Sequence, residues 1–414
     1  FFHFFATTNL KLFMLKFVHF FLLLAIFACK SSSEAQSQSK PATVERVIQP
    51  GAYMTAEYFH LLDKKNVALV INQTSTLGNS SLADTLISAG IKVRKIFAPE
   101  HGFRGKADAG THISNETDPK TGIPVVSLYG SKKKPTPEDL NGIDVLVFDI
   151  QDVGVRFYTY ISTLHYVMEA CAEQNIKLIV LDRPNPLGFY IDGPVLDKKF
   201  TSFVGMHSVP VVYGMTIGEY AGMIKGENWI KKSDDLDLLV VRCKDYDHTS
   251  HYDIPVAPSP NLRTTRSILL YPSLCFFEGT IVSVGRGTDY PFEVFGYPGG
   301  NGDFSFTPRP SKGASDPLYN GKRCVGYSLH NISLDKLYHT KQINLQHLIK
   351  MYNSYKGKDF FLANHFFDKL AGTDQLKEQI LSGMPESKIR ESWQPEIEKF
   401  RKIRKKYLLY KDFE

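Results

Sequence analysis

The stretch DVLVFDIQDVGVRFYTYISTLHYVMEACAEQNIKLIVLDRPNPLG (residues 144–188) decides the fold class. DVLVFDI (144–150) is a continuous apolar run ending among carboxylates, the pattern of a strand buried on both faces. TYISTLHYVMEACAEQ (159–174) sets Ile161, Leu164, Met168 and Cys171 on one side at helical spacing. KLIVLD (177–182) is a second buried strand. A strand, a helix and another strand in this order predict a parallel crossover unit.

Working outward, the alternation continues. VALVIN (67–72), KVRKIFA (92–98), PVVSLY (124–129) and LDLLVVRC (236–243) read as strands. SLADTLISAG (81–90) reads as a helix stopped by Gly90, and TIGEYAGMIKGEN (216–228) as one capped by Thr216. The prediction is an α/β fold with a Rossmann-like parallel sheet covered on both faces. The proline-rich YDIPVAPSPNLRT (252–264) breaks the pattern. It predicts a Rossmann-like catalytic domain over 47–255 and a smaller C-terminal α/β domain over 256–414 that closes the cleft. Length agrees, since 414 residues at about 100–200 per domain suggest two or three. The basic run in EKFRKIRKKYLLY (398–410) reads as the solvated face of a terminal helix.

The front of the chain carries an address. Met14 opens MLK, then the apolar run FVHFFLLLAIFA (17–28), then Cys29 and KSSSEAQSQSK (30–40). That is a secretory signal pattern, too short for a membrane span of about 20 residues. Ala28 directly before Cys29 resembles a bacterial lipoprotein signal, with an ordinary cleaved signal as the alternative. The expectation is a signal over 1–29, a lipid on Cys29, a flexible tether over 30–46, and anchoring in a membrane. Lys30 favours the periplasm-facing outer membrane. The other four cysteines sit in apolar settings without zinc spacing and read as buried thiols.

A formal charge of only +6 argues against a nucleic-acid partner. The sequence contains no HExxH, GxGxxG, Walker or GxSxG motif, so neither a metal nor a cofactor is expected. Three strand ends are polar. KVRKIFA runs into Glu100, His101 and Arg104; DVLVF runs into Asp149, Gln151, Asp152, Arg156, Tyr158 and Tyr160; KLIVL runs into Asp182, Arg183 and Asn185. In a parallel sheet these would meet at the carboxyl edge, the default ligand crevice. Glu100, flanked by Phe97, Ala98, Pro99 and Phe103, is the carboxyl expected to be partly dry and to hold a proton. Asp149 and Asp152 are expected to stay ionised beside Arg156.

FAPEHGFRG (97–105), KTGIPVVSLYG (120–130), VLVFDIQDVGVRFYTYI (145–161), DRPNPLG (182–188), APSPNL (257–262), YPSLCFFEGT (271–280), SVGRGTDYPFEVFG (283–296) and LAGTDQLKEQI (370–380) resemble the DUF1343 family, also called the YbbC or NamZ family. The resemblance implies an exo-acting β-N-acetylmuramidase of peptidoglycan turnover, with its site between two domains. It carries the catalytic glutamate onto Glu100. It implies that Asp149, Gln151, Asp152, Arg156, Tyr158 and Tyr160 line the sugar subsite, and that Glu278, Arg286 and Glu293 face it from the second domain. His101, Arg104, Arg183 and Asn185 complete the expected substrate contacts. The implied partner is a peptidoglycan oligosaccharide ending in N-acetylmuramic acid (MurNAc).

A glycosidase needs a second carboxyl at about 5–5.5 Å if retaining or about 6.5–9.5 Å if inverting. Asp149, Asp152 and Glu293 are the candidates; assistance by the substrate's own 2-acetamido group is the third option. One of Arg156, Arg183 and Arg286 is expected to bind the lactyl carboxylate. The rival from another class is a non-catalytic lipoprotein that captures cell-wall glycan fragments.

Overall fold

The computed structural model describes residues 47–100, 102–103 and 116–414. The signal, the tether and Cys29, together with His101 and Arg104, lie outside the described residues. Residues 47–414 form one compact unit.

Among the described residues twelve strands follow in chain order: β1 Asn66–Ile71, β2 Thr76–Leu77, β3 Ser80–Ser81, β4 Lys92–Ala98, β5 Glu116–Thr117, β6 Pro124–Ser127, β7 Val145–Asp149, β8 Lys177–Leu181, β9 Leu238–Val241, β10 Val294–Tyr297, β11 Phe304–Phe306 and β12 Cys324–Ser328. The main sheet has the order β5-β6-β4-β1-β7-β8-β9. Every pairing in it is parallel except β5 with β6. β1 shows why the apolar runs are unbroken. Ala68 and Val70 enter one core, while Val67, Leu69 and Ile71 enter the other, so both faces of the strand are covered.

The predicted elements form with trimmed ends. The crossover helix runs Tyr160–Gln174, and Asn175 ends it in the left-handed region at φ 52°. Thr216 does cap the helix Ile217–Gly226, its hydroxyl accepting from the Glu219 amide while Glu219 returns the bond. After residue 264 come the helix Thr265–Leu274, the small antiparallel sheet β10-β12-β11, and helices ending in Glu386–Arg404. The four cysteines at 171, 243, 275 and 324 are free and buried.

The strand order places the site. From β1 the chain goes to β4 and β6 on one side, then crosses to β7, β8 and β9 on the other. The connections leaving the neighbours β1 and β7 therefore diverge, and a crevice opens at their carboxyl ends.

Candidate active site

Glu100 follows β4, the strand beside this switch point. A turn closed by the Gly102 amide on the Pro99 carbonyl (3.0 Å) carries it, and Gly102 sits at φ 75°. Its neighbours Phe97, Ala98 and Phe103 are buried, and Glu100 is half-buried. Across the crevice, Thr159 Oγ1 donates to Glu100 Oε2 at 3.0 Å.

The segment after β1 forms the floor. Asn72 Nδ2 donates to the Tyr160 hydroxyl at 2.9 Å, and Gln73 Nε2 donates to the carbonyls of Ala257 and Pro258, both at 3.1 Å. The Tyr158 and Tyr160 hydroxyls also donate to the Pro258 carbonyl, at 2.8 and 3.3 Å. The APSPNL segment is thereby tied to the crevice. Both tyrosines are buried, so they hold this loop in place; they do not present open hydroxyls to a sugar as expected.

The carboxyls after β7 are also committed below the surface. Asp149 is fully buried and forked by Arg183, with Nε at 2.5 Å and Nη2 at 2.9 Å. Burial pushes the Asp149 carboxyl up and Arg183 pulls it down. For Arg183, burial lowers the guanidinium, but Asp149 outweighs that and raises it overall. Each ion is spent on the other, which corrects the expectation that Asp149 catalyses and that Arg183 meets substrate.

Asp152 is buried too. Its Oδ2 accepts from the Gly154 amide at 2.7 Å and from the Tyr213 hydroxyl. Burial pushes its carboxyl up to about 6, against those two donors. Arg156 gives it no help, because that side chain turns away. Fully buried, Arg156 donates through Nη1 to the carbonyls of Pro194 (2.8 Å) and Val209 (2.7 Å), and through Nη2 to those of Leu370 (3.0 Å) and Ala371 (2.6 Å). Its role is to knit the loops after β8 to the LAGTDQ motif. That corrects both its expected sugar contact and its expected pairing with the aspartates.

Gln151 donates to the carbonyls of Asp152 and Pro184, each at 2.8 Å. Asn185 donates to Met215 O at 2.8 Å and accepts from Leu187 N at 2.8 Å. Both are buried, so they too lock loops instead of lining a subsite. Gly154 shows how tight this packing is. It sits at φ 76°, and a Cβ there would lie 2.2 Å from Asn185 Oδ1.

From the second half, Glu293 is buried, accepts from the Thr264 hydroxyl and lies 3.6 Å from Arg266. It braces the start of the helix Thr265–Leu274 and is unsuited to meet a substrate. Glu278 and Arg286 differ. They pair at 2.5 Å with side chains 22% and 26% exposed, and the guanidinium lies 4.9 Å from the Phe292 ring centre. Tyr271 stacks edge-on against both Phe292 (4.9 Å) and Tyr158 (6.1 Å), which links this pair to the crevice.

Of the described residues expected at the site, Glu100, Glu278 and Arg286 are thus the half-buried ones, and the others are buried. Thr159, Asn72 and Gln73 were not foreseen. For Thr159 the signal was present: a Thr opening a helix directly after a switch-point strand.

Known proteins share this architecture. Family models described as exo-β-N-acetylmuramidase NamZ, N-terminal and C-terminal, match residues 67–266 and 269–410. The peptidoglycan β-N-acetylmuramidase NamZ of Bacillus subtilis strain 168 is 39% identical over 415 residues, covering 94% of this chain and 97% of the relative. Two solved structures of DUF1343 family proteins from Bacteroides fragilis NCTC 9343 superimpose. One has a TM-score of 0.82 at 43% identity, covering 89% of this chain and all of the other. The second has a TM-score of 0.74 at 30% identity, covering 88% and 99%.

Proposed function

The chain belongs to the NamZ family of exo-β-N-acetylmuramidases, and from that premise we propose how its crevice divides the work. The protein is a glycoside hydrolase that releases terminal MurNAc from peptidoglycan fragments. A non-catalytic capture role gives way to this activity.

Glu100 is the general acid toward the glycosidic oxygen. One observation carries this assignment: it is the half-buried carboxyl beside the switch point, held by Thr159, whereas Asp149 and Asp152 are each consumed by buried partners. Those two are not proposed as the second catalytic group. Arg286 binds the lactyl carboxylate, the group that distinguishes MurNAc from N-acetylglucosamine. In its favour, Glu278 fixes Nε and Phe292 supports the guanidinium plane, which orients the fork before substrate arrives. Arg156 and Arg183 are spent on other partners.

Glu100→Gln tests the acid. The expected result is loss of MurNAc release from a MurNAc–N-acetylglucosamine (GlcNAc) disaccharide with an unchanged unfolding midpoint; substantial retained release would move the acid elsewhere. We further propose export and a lipid on Cys29 facing the periplasm from the outer membrane, supported by the signal pattern at 14–29. Labelled palmitate should enter the wild type and not Cys29→Ser.

A further inference from the structure

We propose that Thr159 is a positioning residue for the hydrolysis, holding Oε2 of Glu100 while that carboxyl delivers its proton to the departing sugar oxygen. The inference rests on the assignment of Glu100 as the acid. Thr159 immediately precedes the helix Tyr160–Gln174, where a threonine ordinarily spends its hydroxyl on a backbone amide of the first turn. Here the side chain makes no cap bond. The hydroxyl goes instead to Glu100 Oε2 at 3.0 Å, from a residue that is only 9% exposed. A capping bond is given up, and a catalytic carboxyl gains a fixed rotamer.

The consequence is chemical. Glu100, as the proposed acid, gives up its proton while Thr159 holds Oε2. As the C1–O bond breaks, its electron pair goes to the leaving oxygen, which takes that proton. Water then supplies hydroxide to C1 and returns a proton to Glu100. Negative charge appears on the carboxylate during the first step, so the Thr159 bond strengthens as the transition state forms. Tyr160, the next residue, is held by Asn72 and Pro258, which fixes the backbone that aims the hydroxyl.

The test compares two leaving groups in wild type, Thr159→Val, Thr159→Ser and Glu100→Gln. A sugar leaving group needs the proton, whereas 4-nitrophenolate departs nearly unaided. Thr159→Val should lower kcat on MurNAc–GlcNAc about 10- to 100-fold with KM nearly unchanged. It should lower kcat on 4-nitrophenyl-MurNAc only a few-fold, and Thr159→Ser should restore most of the loss. Equal losses on both substrates, or a serine variant as impaired as the valine one, overturn the role of Thr159 while a dead Glu100→Gln leaves the acid in place. Full disaccharide turnover by Glu100→Gln overturns the assignment of Glu100 itself.

Discussion

Arg156→Met removes a buried guanidinium that touches four main-chain carbonyls, and it should unfold the protein earlier without weakening substrate binding. Charged hydrogen bonds contribute about 1.5–3 kcal/mol each, so the four carry a large gross sum. Much of it is offset by the several kcal/mol that a buried cation loses in hydration. What the substitution leaves behind is four buried carbonyls of residues 194, 209, 370 and 371 without their donor. A stranded buried acceptor costs about 1–3 kcal/mol, Val209 O keeps the Leu196 amide, and relief of the cation's lost hydration offsets part of the sum, leaving about 3–5 kcal/mol. At about 2 °C per kcal/mol for a chain of this size, the unfolding midpoint should fall by about 6–10 °C. Arg156→Lys offers three donors on a different stem and should lose roughly half as much. The assay is thermal unfolding by circular dichroism, with kcat and KM for MurNAc–GlcNAc measured where wild type and variant are both folded. An unchanged midpoint with a raised KM would mean that the guanidinium meets the sugar, and the structural role would be refuted.

Three further outcomes are expected. Arg286→Lys loses the fork and should raise KM for muramides about tenfold while eroding discrimination against N-acetylglucosaminides; unchanged KM and selectivity would dismiss Arg286 as the carboxylate anchor. Gly154→Ala should cost about 2–4 kcal/mol, from backbone strain at φ 76° plus displacement of the Asn185 bonds to Met215 and Leu187. A double-mutant cycle with Asn185→Ala should show strong coupling, and additive losses would contradict it. Buried His207, bonded to His165 at 2.9 Å and to Tyr220 at 3.0 Å, is pushed down to about 3 by burial and then by His165. The unfolded chain takes its proton near 6.5 and the fold refuses it until about 3, so stability is lost as pH falls through that window, by about 3 kcal/mol at pH 4. Asp152 and Asp182 work oppositely: held up near 6 in the fold, they protonate there first and add stability as pH drops from about 6 toward 3.8. The stability advantage of wild type over His207→Gln should therefore shrink between pH 7 and pH 4, and a constant difference would refute the linkage.

The layer order, the parallel sheet and the crevice were determined by sequence alone. Continuous apolar strands such as 145–149 must be covered on both faces, and crossover helices are the way a chain returns to start a parallel neighbour. The position of Glu100 followed too, since residues just past β4 have nowhere to go but the carboxyl edge. What each polar side chain does at that edge was decided only by tertiary structure. Asp149 and Asp152 lie close to Arg156 in sequence, and Arg183 follows the next strand, which suggests mutual pairing or substrate contact. Yet Arg183 comes from the next strand to take Asp149, and carbonyls from residues 370 and 371, more than two hundred positions away, take Arg156. A buried charge must find whatever partner the packed chain brings within about 3 Å, and sequence spacing carries no information about contacts at such separation. Thr159 makes the same point in reverse: its place opening a helix was readable, but only the fold could send its hydroxyl across the crevice to a glutamate on another strand.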